Sequence, residues 1–358
     1  MLTDMESVPG GTPRSRKSGR PTIRDVAQLA GVGLGTASRV LNKDTHVRPE
    51  TRRRVLAAAR RLRFQASLAA RGLAKGRTGA IGVLVPFFTK HYFLEILRGI
   101  EQTISSSDAS LIIYNVERRQ QVLAHLRFLA RTRRVDGLLV ISLSGNLIGS
   151  VYHRSLPFPI VYIDSDVENS AAVSVDHEAA MHLAVSHLTG LGHTRLALID
   201  RPQDPVSDTI CPARREGYRK ACREAGLGVP ESHVVLAEYS RDGGYEAAMH
   251  LLKSRRPPTA IACASDLQAI GAMKAVADAG LRVGHDVSVT GYHDVELAQY
   301  VGLTTVHLSA IEMGAAAAGL LLGGLRLLTA KELPRTFPPE LIIRGSSGKL
   351  RRTRKRRR

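Results

Sequence analysis

The stretch Thr22-Ile-Arg-Asp-Val-Ala-Gln-Leu-Ala-Gly-Val-Gly-Leu-Gly-Thr-Ala-Ser-Arg-Val-Leu-Asn42 holds two short helical patterns on either side of one turn. Thr22 and Asp25 have the spacing of a capping box, in which hydroxyl and carboxylate satisfy the open backbone donors of a first turn. Ile23, Val26, Ala27 and Ala30 then repeat at helical spacing, and Gly31 stops the run. A second helix is predicted from Leu34 to Leu41, with Ala37, Val40 and Leu41 as its apolar stripe. Two helices joined at Gly31-Val32-Gly33 make a helix-turn-helix, a unit that offers its second helix to the DNA major groove. A third helix starts at Pro49, which suits a first helical position. Its apolar side is read as Val55, Leu56, Ala59 and Leu62, and its other side as Arg52, Arg53, Arg54, Arg60, Arg61 and Arg63. Taken alone, these residues also fit a plain three-helix bundle with a solvated basic face.

Charge spreads outward from this head in a telling way. The 358 residues carry a formal net charge of +19. Residues 1–78 hold 17 Lys/Arg against 5 Asp/Glu, and residues 349–358 hold eight bases and no acid. The stretch between them is nearly neutral, with 26 bases and 27 acids. Basic ends on a neutral body are the pattern of a folded domain with nucleic-acid-contacting extensions. Residues 1–20, rich in Ser, Gly, Pro and Arg, read as a disordered basic leader.

Beyond residue 79, buried strands and helices alternate. Apolar runs at 80–85, 111–114, 137–141 and 160–163 read as parallel strands, with helical patterns at 93–104 and 122–131 between them. A second series of strands is predicted at 196–199, 234–236, 260–263 and 287–289, with helices at 214–225, 244–252 and 267–279. Two such series imply an α/β body of two doubly wound parallel-sheet lobes, with ligands held at the carboxyl ends of the strands.

Other classes are disfavoured. No apolar run reaches the ~18–20 residues of a membrane span. Met1–Gly10 carries Asp4 and Glu6 and no apolar core, so no secretory signal is expected. Cys211, Cys222 and Cys263 lack metal-ligand spacing and are odd in number, which suits a reducing cytoplasm. His177-Glu178-x-x-x-His182 has one residue too many for a zinc helix. There is no G-x-S-x-G elbow, and Gly31-x-Gly33-x-Gly35 lacks the strand that a dinucleotide fingerprint follows. No enzyme, metal or cofactor is expected.

The motifs together closely resemble the LacI/GalR (lac-repressor) family. They are Thr22-Ile-Arg-Asp-Val-Ala-x-x-Ala30, Gly31-Val32, Thr36-Ala-Ser38-Arg39-Val40-Leu41-Asn42 and Val47-x-Pro49-Glu50-Thr51-Arg52. The similarity continues in Leu62-Arg-Phe64-x-Ala-Ser67-x-x-Ala70-Arg71-Gly-Leu73 and in body motifs such as Arg134-Val-Asp136-Gly137, as far as Leu341-Ile-Ile-Arg344. It implies a helix-turn-helix domain at 21–64, a hinge helix and linker at 65–78, and a periplasmic-binding-protein-like body at 79–346. Lobe 1 would take 79–177 and 309–335, lobe 2 would take 178–308 and 336–346, and a basic tail would follow at 347–358. The implied activity is transcription regulation, most simply repression. A homodimer would grip a pseudo-palindromic double-stranded operator, and a small-molecule effector between the lobes would modulate that grip. A sugar-binding transport receptor would share the body fold but not the head.

Roles follow at the matching positions. Leu34, Gly35, Ser38 and Arg39 would face the groove, and Arg39 suits bidentate contact to guanine O6 and N7. Thr22, Thr36, Asn42 and His46 match phosphate-contacting positions. Ala70 and Leu73 match the hinge, with Leu73 as the apolar wedge in the minor groove. Family members usually have Ser where Gly33 stands, and often polar or aromatic side chains where Leu34 and Gly35 stand; Gly35 has no side chain to read a base. In the body, the resemblance points to Tyr92, Phe93, Asp164, Arg214, Tyr239, Ser265, Asp266 and His293 as effector contacts, a set suited to a polyhydroxylated or heterocyclic molecule. His293 replaces the family's effector-binding aspartate, so the usual sugar or purine preference does not carry over.

Overall fold

A computed structural model describes residues 21–42, 44, 46–64, 77–148, 156–165, 167, 170–202, 206, 210–228, 230–325 and 336–350. The chain divides into two units, Met1–Arg77 and Thr78–Arg358. The basic leader, most of the expected hinge with Ala70 and Leu73, and residues 351–358 of the basic tail lie outside the described residues.

The first unit is built from α1 (Ile23–Ala30), α2 (Leu34–Leu41) and α3 (Pro49–Arg61). The capping box forms: the Asp25 carboxylate accepts the Thr22 N–H at 2.7 Å and the Thr22 hydroxyl at 2.8 Å. Gly31 ends α1 with φ 59°, a left-handed turn that glycine enters without a Cβ clash. Val26, Ala27, Ala30, Ala37, Val40, Val55, Ala58 and Ala59 form the core. Two expectations for α3 are corrected. Leu56 lies on the exposed side and Ala58 takes its place in the core. Arg54 and Arg52 do not belong to a free basic face. The Arg54 guanidinium donates to the Ala30 and Gly31 carbonyls at 2.6 and 3.0 Å, capping α1 from α3, and Arg52 donates to the Asp44 carbonyl. Open carbonyls at a helix end need such partners.

The second unit contains two six-stranded sheets. The first uses β1 (Ala80–Pro86), β2 (Ser110–Val116), β3 (Gly137–Ile141), β4 (Ile160–Ile163), β5 (Ala171–Val175) and β11 (Thr336–Phe337), in the order β11-β5-β4-β3-β1-β2. The second uses β6 (Leu196–Asp200), β7 (Val234–Leu236), β8 (Ala260–Cys263), β9 (Ser288–His293), β10 (Thr304–His307) and β12 (Glu340–Ile342), in the order β12-β10-β9-β8-β6-β7. The two orders are equivalent strand by strand, and the pairings are parallel except β10 with β12. Central strands such as β1 and β3 are buried along their whole length, as parallel strands covered on both faces must be.

Helices cover both faces. α4 (His91–Ile104) and α12 (Ala310–Gly324) pack together in the first lobe, with α5 (Arg119–Thr132) bringing Val122, Leu126 and Leu129 to the opposite face of its sheet. The short α6 (Gly145–Ile148) follows β3. In the second lobe α7 (His177–Gly190) packs on α8 (Ile210–Glu224), and α9 (Arg241–Leu252) packs on α10 (Asp266–Asp278), while α11 (Glu296–Tyr300) leads into β10. α4 and α12 approach so closely that a Cβ on Gly99 would collide with the Ile311 carbonyl, and one on Gly314 with the Ile96 carbonyl.

The ends of the body differ from expectation in two places. β11 pairs in parallel with β5, so the lobe boundary expected at 335/336 falls too early. Residues 346–350, partly expected to be tail, are a strap on the second sheet. Ser346 Oγ donates to the Val289 carbonyl at 2.6 Å and accepts the Thr304 N–H at 2.8 Å, and Leu350 N–H donates to the Leu191 carbonyl at 3.0 Å. His193 is buried beneath the strap, within 3.0 Å of Thr259, Ser288 and the Gly348 carbonyl. On the first sheet, Asp136 accepts the Thr78 and Gly79 N–H groups at 2.6 and 2.8 Å and pins the chain just before β1.

Candidate functional site

On the first unit, Leu34, Gly35 and Arg39 are exposed along one side of α2 while Ala37 and Val40 fill the core. Thr36 and Ser38 are half-buried beside them, and Thr22, Asn42 and His46 are exposed. Arg39 Nε lies 3.5 Å from the Gly35 carbonyl on its own helix, so its guanidinium is carried along the surface of α2. Asn42 donates to Ser38 at 3.4 Å, and His46 turns back to Asp44.

On the second unit, the carboxyl ends of the strands surround a cavity of about 430 Å³. Of the residues singled out in the sequence, Tyr92, Phe93, Arg214, Tyr239, Ser265, Asp266 and His293 line it. Tyr92 and Phe93 come from the first turn of α4 and Arg214 from the first turns of α8. Tyr239 follows β7, Ser265 and Asp266 open α10, and His293 ends β9. Parallel strands all deliver their following residues to one end of the sheet, which is why positions so far apart in sequence converge here.

Hydrogen bonds sort these residues into those that face the cavity with spare capacity and those already committed. Asp164, expected as a contact, does not line the cavity. It lies behind Tyr92, accepting the Tyr92 hydroxyl and the Val175 N–H, with His177 Nε2 at 3.4 Å. Ser265 caps α10 by accepting the Gln268 N–H at 3.2 Å. Asp266 accepts the Tyr292 and Val295 N–H groups at 2.8 and 2.7 Å and the Thr305 hydroxyl. Burial pushes its carboxyl up to about 7 against the pull of those donors. Gly291 makes room for it, since a Cβ there would strike Asp266 Oδ1.

Arg214 is 2% exposed, with Nη2 at 3.0 Å from Asp200 Oδ1 and its guanidinium carbon 5.6 Å from the centres of both the Tyr239 and Tyr292 rings. Asp200 is held on its other oxygen by Arg215 at 2.8 Å. His293 stacks on Tyr92 with ring centres 4.6 Å apart, and Tyr239 meets it edge-on at 6.4 Å. Burial, then the nearby charge of Arg214, holds the His293 imidazole well below the usual histidine range, so it is neutral at pH 7. His293, Asp164 and Phe87 all have positive φ, so backbone strain gathers at the strand ends that border the cavity.

Among the lining residues not expected as effector contacts, five carry charged or imidazole side chains: Lys90, His91, His177, Arg201 and Glu238. Lys90 Nζ donates to the Tyr239 carbonyl at 3.2 Å, joining the lobes across the cavity mouth. His177 Nδ1 lies 2.8 Å from the Tyr292 hydroxyl, so its ring bridges Asp164 in the first lobe and Tyr292 in the second. The sequence reading set His177 only against a metal pattern, and β5, which ends two residues before it, is not among the predicted strands. His182 instead pairs with Glu224 at 2.6 Å, and among the described residues no group of three His, Cys, Asp or Glu side chains could hold a metal. No described helix is long and apolar enough to cross a membrane.

Comparison with known proteins places this geometry. Residues 22–67 match the profile of bacterial regulatory proteins of the lacI family, and residues 185–347 match that of the periplasmic binding protein-like domain. The ribose operon repressor of Escherichia coli (strain K12) is 32% identical over 331 residues, spanning 91% of this chain and 99% of its own length. The HTH-type transcriptional repressor PurR of Haemophilus influenzae (strain PittEE) is 34% identical over 339 residues, spanning 91% and 98%. Among solved structures, the lac repressor dimer bound to operator and the anti-inducer ONPF superposes with a TM-score of 0.81 at 28% identity, covering 92% of this chain and all of that one. With a helix-turn-helix head, two equivalent lobes and full-length relatives above 30% identity, the chain belongs to the lacI family of bacterial regulatory proteins.

Proposed function

We propose that the protein is a ligand-responsive transcription repressor of the cytoplasm, binding a pseudo-palindromic operator as a homodimer. One observation carries this reading: the same chain joins an apolar-cored head with an exposed Leu34–Gly35–Arg39 face to a body with a cavity between its lobes. The relatives' descriptions support the repressor role, and the lac repressor structure, a dimer on operator, supports the assembly. Arg39, Ser38 and Leu34 would meet base edges, whereas Thr22, Thr36, Asn42 and His46 would meet phosphates. Residues 65–78 would serve as the hinge, with Ala70 and Leu73 in the minor groove.

In the body, Tyr92, Phe93, Arg214, Tyr239 and His293 would contact the effector, with Asp164, Ser265 and Asp266 holding them in place. No catalytic role is assigned to any of these residues. An effector with different affinities for two lobe arrangements shifts their populations, and so changes the affinity for DNA. The test is selection of bound fragments from random duplexes, followed by anisotropy titration and sedimentation. The expected result is one dimer on an inverted repeat, with affinity at least about 1000-fold above a scrambled duplex. Equal affinity for both duplexes, or binding as a monomer, overturns the proposal.

A further inference from the structure

The hydrogen-bonding capacity left over in the cavity discriminates among effectors, an inference that rests on the effector reading above. The carboxylates in and behind the buried wall are committed. Asp164 holds Tyr92 and Val175, Asp200 holds Arg214 and Arg215, and Asp266 holds two backbone N–H groups and Thr305. Glu238, the other lining carboxylate, is exposed at the rim. Donors are in surplus. Arg214 Nε and the Tyr239 hydroxyl are buried with no hydrogen-bond partner among the described residues, and Lys90 lines the same space. At position 293 a neutral imidazole lies flat on Tyr92.

A neutral sugar brings a hydrogen on each hydroxyl and needs acceptors in equal measure, as a carboxylate at position 293 would supply. A desolvated guanidinium with a spare N–H, a spare phenol and an ammonium group instead ask for a ligand rich in acceptors. The aromatic faces around them ask for a flat partner. We propose that the effector is an anionic ring compound, a small cyclic molecule bearing a carboxylate or phosphate that is met by Arg214 and Tyr239.

Two matched pairs of probes test this on the full-length protein by calorimetry, with operator affinity as a second readout. They are 4-hydroxybenzoate against 4-hydroxybenzamide, and ribose 5-phosphate against D-ribose. In at least one pair the anion is expected to bind about tenfold or more tightly than its neutral partner. The pair that responds tells carboxylate from phosphate. Tyr239→Phe should weaken the anion by about tenfold and its neutral partner less, so the preference within the pair narrows. His293→Asp should reverse the preference within the pair. Arg214→Gln breaks a buried ion pair and endangers the fold, so the Tyr239 and His293 variants carry the test. Neutral partners binding as tightly as the anions in both pairs overturn the inference and leave the effector reading standing. Silence from all four probes at about 10 mM overturns the inference as well. The effector reading falls separately if a dialysable cell extract also leaves operator affinity unchanged.

Discussion

Arg39 stands on the exposed side of α2 while its neighbours Ala37 and Val40 anchor the helix in the core. Arg39→Ala should therefore weaken binding to a selected operator by about 1–3 kcal/mol and leave scrambled-duplex binding nearly unchanged, read by paired anisotropy titrations. A uniform loss on both duplexes would assign it to phosphate contact. At Asp266 the prediction concerns protons. Its carboxyl is raised to about 7 in the fold, above its ordinary value of 3.8, so the fold favours the protonated form. Its contribution to stability is complete below pH 4 and lost as pH rises through about 7, so wild type minus Asp266→Asn should decline across that window in urea melts. An unchanged difference from pH 4 to 8 would show that the donors around Asp266 keep it ionised. The positions bordering the cavity were legible through the family resemblance, whereas their roles were not. Nothing in the order of residues tells that Asp164 turns behind Tyr92 or that Asp266 is consumed by the Tyr292 and Val295 backbone.

Helices and strands depend on a few contacts that reach across elements. Arg54→Ala removes the donors that cap α1 from α3, and should cost the head about 1–3 kcal/mol, measured by thermal melting of the intact protein. Gly99→Ala forces α4 away from α12 and should cost several kcal/mol, with the melting temperature of the body falling by about 2–4 °C for each. Ser346→Ala leaves the buried Thr304 N–H without its partner and should cost about 1–3 kcal/mol in the same measurement. Elements were readable in proportion to their apolar content. β3, β4 and β8 match their predicted bounds because central strands are continuous apolar runs, and the edge strand β7 matches as a short run of the same kind. β5, β10, β11 and β12 were missed: β11 is two residues long, and stretches such as Thr304–His307, half of it threonine, offer neither alternation nor an apolar run. α12, mostly Ala, Gly and Leu, lacks a polar face because it is sandwiched between α4 and the first sheet, so helical periodicity does not mark it.

In the whole body, two sheets of equivalent strand order present their carboxyl ends to one cavity, with Lys90 and His177 reaching between the lobes. The alternation of strands and helices foretold this architecture, and the equivalence of the two orders follows from the same winding rule applied twice. The strap over His193 sits at the amino ends of the second sheet's strands, against residues that precede β6 and β8 and open β9. A tether carried by the chain beyond Leu350 would thus hold the body by its back. On a sensor chip, such an attachment leaves the ligand doorway turned toward the flowing sample.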